Sequence, residues 1–131
     1  MIGVENEEST LHRITDGVRF GRWILDAGSG ELGRDGVWIR LQNKPFELLM
    51  ILLQHAGEVV PRRELERGLW PEGTYVDFEH GLNAAVKRLR ASIGDDAAQP
   101  RFIETLPRRG YRFIARVERI EPRMADLSSS F

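Results

Sequence analysis

The chain has 131 residues, a formal net charge of −1 and no cysteine. That length has room for one domain with a single core, and the absence of thiols excludes disulfides and thiolate metal sites. No apolar run reaches the ~20 residues that span a bilayer, and the acidic N-terminus lacks an apolar signal core, so the expected location is the reducing cytoplasm.

The net charge hides an asymmetry. Residues 1–83 carry nine Arg or Lys against fourteen Asp or Glu, whereas residues 84–119 carry nine against four. A local excess of positive charge points to an electrostatic footprint at one end of the fold, although charge runs often do no more than solvate a surface.

In chain order, residues 1–16 are polar, acidic and aperiodic and read as a disordered arm. Val18–Phe20, Trp23–Asp26, Glu31–Arg34 and Val37–Leu41 are short β-prone runs separated by glycine signals, as in a small antiparallel sheet. Asp35-Gly36 is a two-residue hairpin signal, since both central positions of a type I′ turn need positive φ. Gly28-Ser-Gly-Glu-Leu-Gly33 has the spacing of a dinucleotide-binding loop, but it runs into another strand instead of opening a helix, so it is read as a glycine-rich turn.

Lys44-Pro45-Phe46 starts the first helix, because proline is tolerated where its missing N–H has no partner to lose. Phe46–Leu53 is apolar nearly all round and is expected at the centre of the domain, with Gly57 ending the helix. Glu58–Val60 is a brief extended link, and Pro61 opens a second helix to about Leu69, whose Leu65 and Leu69 face inward while Arg62, Arg63, Glu64, Glu66 and Arg67 look solvated. Trp70-Pro-Glu-Gly-Thr74 breaks that helix. Asp77 is placed to cap a third helix, and Gly94 to close it.

In that third helix Phe78, Leu82, Val86, Leu89 and Ile93 recur at steps of three and four and form one apolar stripe, read as core. The opposite face carries His80, Ala84, Lys87 and Ala91, flanked by Asn83, Arg88 and Arg90, with no carboxylate after Glu79. Small side chains permit close approach and cations reward a phosphate-lined groove. Lys87 is central and is the candidate for a base edge; Arg88 and Arg90 sit on the flanks and suit phosphates. Asn83 has the groups to pair with adenine, and is equally readable as bystander surface. Arg101–Leu106 and Tyr111–Arg116 flank Pro107-Arg108-Arg109-Gly110 as a hairpin with a basic tip, and Arg112 follows on the return strand. Residues 120–131 read as a tail or linker, leaving residues 17–119 as the domain. Five phosphate contacts, about the local charge excess, imply a log–log salt slope of about −4.5.

Three helices followed by a basic hairpin is the order of a winged helix-turn-helix. On the residues Lys44-Pro-Phe-Glu-Leu-Leu, Gly57-Glu-Val-Val, Leu69-Trp-Pro, Val86-Lys-Arg-Leu-Arg and Ile103-Glu-Thr-Leu-Pro-Arg-Arg-Gly-Tyr-Arg-Phe, the chain resembles the effector domains of OmpR/PhoB-type bacterial response regulators, and most of all the receiver-less ToxR/CadC-like group. The resemblance implies an α+β fold with an N-terminal four-stranded sheet, a three-helix core and a C-terminal wing. It also implies transcription regulation, related to two-component phosphorelay signalling, through sequence-specific binding of double-stranded DNA. The third helix would lie in the major groove and the wing in the adjacent minor groove. By position it assigns DNA contacts to His80, Lys87, Arg88 and Arg90, and a phosphate contact to Thr105. Many members carry a wing-tip arginine where this chain has Pro107, so the minor-groove role passes to Arg108 or Arg109. The loop with Trp70, Glu72, Thr74 and Tyr75 takes the place of a surface that touches RNA polymerase, and Trp70 either anchors that loop or presents it. Tandem homodimers on direct repeats are a further implication.

The competing class is a winged helix kept as a protein-interaction module, favoured by the acidic first two-thirds of the chain. An enzyme is a distant third. His12, His55 and His80 have no partners at metal spacing, no local Ser, His and acid set stands out, and neither a metal nor a cofactor is expected.

Overall fold

The computed structural model describes residues 17–72 and 77–120. The expected arm at residues 1–16 and residues 121–131 of the expected tail lie outside the described residues. The remainder forms two compact units, residues 17–40 with 117–120, and residues 41–116.

In the first unit β1 (Gly17–Phe20), β2 (Trp23–Asp26), β3 (Glu31–Arg34) and β4 (Val37–Arg40) make an antiparallel meander. Its turns follow from the sequence. Asp35 and Gly36 have φ of 53° and 82°, the pair of positive values that a type I′ hairpin requires. The Gly28-Ser-Gly30 segment is a turn between β2 and β3, held by the buried Asp26 carboxylate, which accepts from the Gly28 and Ser29 N–H groups at 3.0 and 3.3 Å. No helix begins there, so the phosphate-loop spacing is coincidental. The sheet has five strands, not the expected four, because β8 (Val117–Arg119) pairs antiparallel with β1. With only three residues, one of them half-buried, β8 has no alternation long enough to announce itself.

The second unit contains α1 (Asn43–Gln54), β5 (Val59–Pro61), α2 (Arg62–Leu69), α3 (Phe78–Ile93), β6 (Ile103–Leu106) and β7 (Gly110–Phe113). Leu48, Leu49 and Leu52 of α1 are buried against α2 and α3, together with Leu65, Leu69, Leu82, Val86, Leu89 and Ile93. Each such side chain contributes roughly 1.5–3 kcal/mol by leaving water. The apolar surround of α1 is only partly used, since Phe46, Met50, Ile51 and Leu53 are half-exposed.

Two expectations change here. Phe78 is 38% exposed and does not belong to the core stripe of α3, whose additional buried member is Ala85. The link at Val59–Pro61 is a true strand pairing with β7, so the wing is a three-stranded sheet in the order β5-β7-β6. Both β6 and β7 are shorter than the β-prone runs around them, although one further bond in the same register, from Ile114 N–H to Phe102 O at 2.9 Å, extends the pairing past their ends.

Candidate nucleic-acid interface

The outward face of α3 is held by its two ends. At the start, Asp77 accepts from the His80 N–H at 3.2 Å and its other oxygen lies 2.6 Å from His80 Nδ1. At the finish, Gly94 adopts the left-handed conformation at φ 70° and donates to Arg90 O. The backbone bond from His80, then the His80 side chain, hold the Asp77 carboxyl below its ordinary value of 3.8. Because the folded value is the lower one, the cap stabilises fully above the ordinary carboxylate range, and that contribution is lost as pH falls through the folded value. The thermal midpoint of the wild type is therefore expected to fall below about pH 4 more steeply than that of Asp77→Asn, which keeps a neutral cap. Parallel midpoint curves between neutral and acid pH would refute a titrating cap.

His80, Asn83, Ala84, Lys87, Arg88 and Ala91 are all exposed on one side of α3. Among the described residues no hydrogen bond or ion pair engages the Lys87 side chain. Arg88 donates only to the exposed Gln42 side chain, at 3.2 Å. Arg90 is placed differently. Its side chain is 12% exposed, its guanidinium donates to Ile103 O and to Thr105 Oγ1, both at 2.8 Å, and Nε lies 3.8 Å from Asp95. Arg90 thus ties α3 to the base of the wing instead of standing free as a flanking cation. Thr105 accepts from it and keeps its own hydroxyl hydrogen for an outside acceptor.

Asp95, just after α3, has a structural part as well. Its side chain is buried and accepts from the N–H groups of Arg101, Phe102 and Ile103 at 2.7–3.2 Å, so it organises the entry to β6. Arg112 is likewise committed, because Glu104 lies directly across the β6–β7 ladder and its Oε1 accepts from Arg112 Nε at 2.8 Å.

The wing turn is built on Pro107. Arg109 donates its N–H to Leu106 O at 2.9 Å across Pro107 and Arg108, and Arg108 takes φ 66°, the pattern of a type II turn with proline at its first central position. Both arginines are exposed, and among the described residues neither side chain has a partner.

Arg62, which the sequence had placed on a solvated face, joins this turn to α3. Its backbone N–H donates to Arg109 O at 3.3 Å, while its guanidinium donates to Tyr111 Oη and to Asn83 Oδ1, each at 3.0 Å. The wing turn and the outward face of α3 therefore lie on one flank, and Asn83, Lys87, Arg90 and Tyr111 line a shared open groove with Asp95 and Asp96. A lone arginine in a charged helix gave no sign of this role, since its partners come from α3 and β7.

Trp70 anchors its loop. Its ring lies 5.9 Å from that of Phe78, Lys44 Nζ sits 5.7 Å from its centroid, and a Cβ at Gly81 would fall 2.7 Å from it. Glu72 is exposed; Thr74 and Tyr75 lie outside the described residues.

Residues 35–113 match the family described as "Transcriptional regulatory protein, C terminal". The chain belongs to this family. It is 34% identical over 91 residues to the cholera toxin homolog transcriptional activator of Vibrio parahaemolyticus, covering 70% of this chain and 31% of that relative. The chain thus spans about a third of the length of that curated relative. Among solved structures of the family, the DNA-binding domain of E. coli CadC superposes with a TM-score of 0.69 at 29% identity, covering 80% of this chain and 97% of the other. The Klebsiella pneumoniae RstA DNA-binding domain, in complex with the RstA box, gives 0.64 at 28% identity, covering 75% and 96%. These likenesses agree with the OmpR/PhoB-type winged helix expected from the motifs. Among the described residues no helix is long and apolar enough to cross a membrane.

Proposed function

We propose that this chain is the DNA-binding domain of a cytoplasmic bacterial transcription regulator, with residues 17–119 as the working unit. In this reading α3 enters the major groove, the wing turn reaches the adjacent minor groove, and Lys87, Arg88, Arg108 and Arg109 meet DNA, with Thr105 donating to a phosphate. The observation that carries it is that Lys87 and Arg88 of α3 and the two arginines of the wing turn, none of them in an ion pair among the described residues, share one flank bridged by Arg62. Charge clusters that straddle a phosphate ridge fix register, and base edges are then read by the helix between them.

The α2–α3 loop is assigned to RNA polymerase, with Glu72 exposed and Trp70 serving as its anchor while Thr74 and Tyr75 complete the loop. Two copies on a direct repeat are the proposed assembly.

Since Arg90 and Arg112 are internally paired, about four cations remain for phosphates, and log K is expected to fall with log salt at a slope of about −3.6. A fourfold rise in salt then lowers affinity roughly 150-fold. Fluorescence anisotropy on a duplex selected from a random pool measures both, and the selected site gives the repeat spacing. A slope near zero, or no retained duplex at low salt, would overturn the proposal in favour of a protein-docking role.

A further inference from the structure

We propose that Arg62 sets what Asn83 reads: Asn83 presents its amide N–H groups to the groove and selects a base whose major-groove edge accepts, guanine or thymine, over adenine. This rests on the DNA-binding reading above. Asn83 lies on the exposed face of α3, one turn before Lys87, with its side-chain carbonyl oxygen 3.0 Å from Arg62 Nη2. The chemistry decides which end of the amide turns inward. A guanidinium offers five donors and no acceptor, so the atom facing it must be the oxygen, and the NH2 group points away.

Arg62 is not free to yield. Its other guanidinium nitrogen donates to the hydroxyl of Tyr111, a residue only 5% exposed, and its carbon lies 5.8 Å from the Tyr111 ring centroid. Its backbone is held by Arg109 O at 3.3 Å. The guanidinium is therefore clamped from the wing side.

The usual pairing of asparagine with adenine needs both halves of the amide, the oxygen accepting from the 6-amino group and the nitrogen donating to N7. Here the oxygen already accepts from a cation, and that positive charge repels a second donor brought to the same atom. What remains is a donor pair. Guanine presents two acceptors, O6 and N7, and thymine presents O4 with no donor beside it, whereas adenine's single acceptor, N7, stands next to the 6-amino donor, whose acceptor on the asparagine is already taken by Arg62.

The test is selection of duplexes from a random pool by the full chain and its variants. The wild type is expected to show one position with guanine or thymine favoured on the order of tenfold, flattened in Asn83→Ala while the other positions persist. Arg62→Met frees the carbonyl and moves that position to adenine. Asn83→Asp keeps the oxygen toward Arg62 and replaces the donor by an acceptor, moving the preference to adenine or cytosine; with Asn83→Ala it decides the matter even if Arg62→Met fails to fold. An adenine preference in the wild type, a selected site indifferent to Asn83→Ala, or a folded Arg62→Met with unchanged preference would overturn the assignment and leave DNA binding intact. Failure of the wild type to enrich any duplex would remove both.

Discussion

Lys87→Glu combined with Arg88→Glu is expected to weaken binding to the selected duplex at least 100-fold, with a thermal midpoint within a few degrees of the wild type. Both side chains are exposed, Lys87 has no partner among the described residues, and Arg88 has only a surface glutamine. Helix propensity is nearly the same for Glu, Lys and Arg, so the folded chain loses about 0.5 kcal/mol or less per site. DNA experiences the reverse: two attractive contacts become repulsive, and the magnitude of the log–log salt slope is expected to drop by about 2, roughly one per lost phosphate contact. Anisotropy titrations at two salt concentrations, with a thermal melt of each protein, measure the separation. Full affinity with an unchanged slope would show that this face of α3 does not meet DNA. Arg90→Ala is a different kind of change, because that residue holds the wing base, and it is not a substitute for this pair.

Gly110→Ala should be the most damaging single substitution in the wing. Gly110 faces Pro61 across the β5–β7 ladder, and an added Cβ would lie 2.0 Å from Val60 O and 2.8 Å from Val60 C. Both are backbone atoms, so no rotamer change relieves the clash and the strands must part. A cost on the order of 3 kcal/mol follows, in the range of overpacked sites, which corresponds to a fall in thermal midpoint of roughly 15 °C for a domain of this size. Gly94→Ala is the control: it also has positive φ, 70°, but its Cβ would meet nothing within 4 Å, so it should cost only about 1 kcal/mol. Equal midpoints for the two variants would mean that backbone conformation, not close approach, explains the glycine at 110.

The two expectations draw on different kinds of information. Lys87 and Arg88 were legible as part of an exposed basic face because a helix projects its periodicity outward: Leu82, Val86 and Leu89 face the core, so the face opposite is known without knowing what packs against them. Gly110 carried only a turn signal. Its reason, the passage of β5 within contact distance, involves a strand about fifty residues earlier.

Local devices could be read from the order of residues alone: the Asp77 cap and Gly94 stop of α3, the Asp35-Gly36 hairpin, the three helices and the basic outward face, since each follows from periodicity or from one residue's conformational preference. Which charges stand free depends on contacts between elements. Arg90 is tied to Thr105 and Ile103 beside the Asp95 carboxylate and Arg112 is paired with Glu104, Arg62 moves from a solvated face to the bridge between wing and helix, and Phe78 leaves the core for Trp70. Hydrogen bonds and ion pairs act over about 3–4 Å, and residues far apart in the chain enter that range only once the fold has brought their elements together.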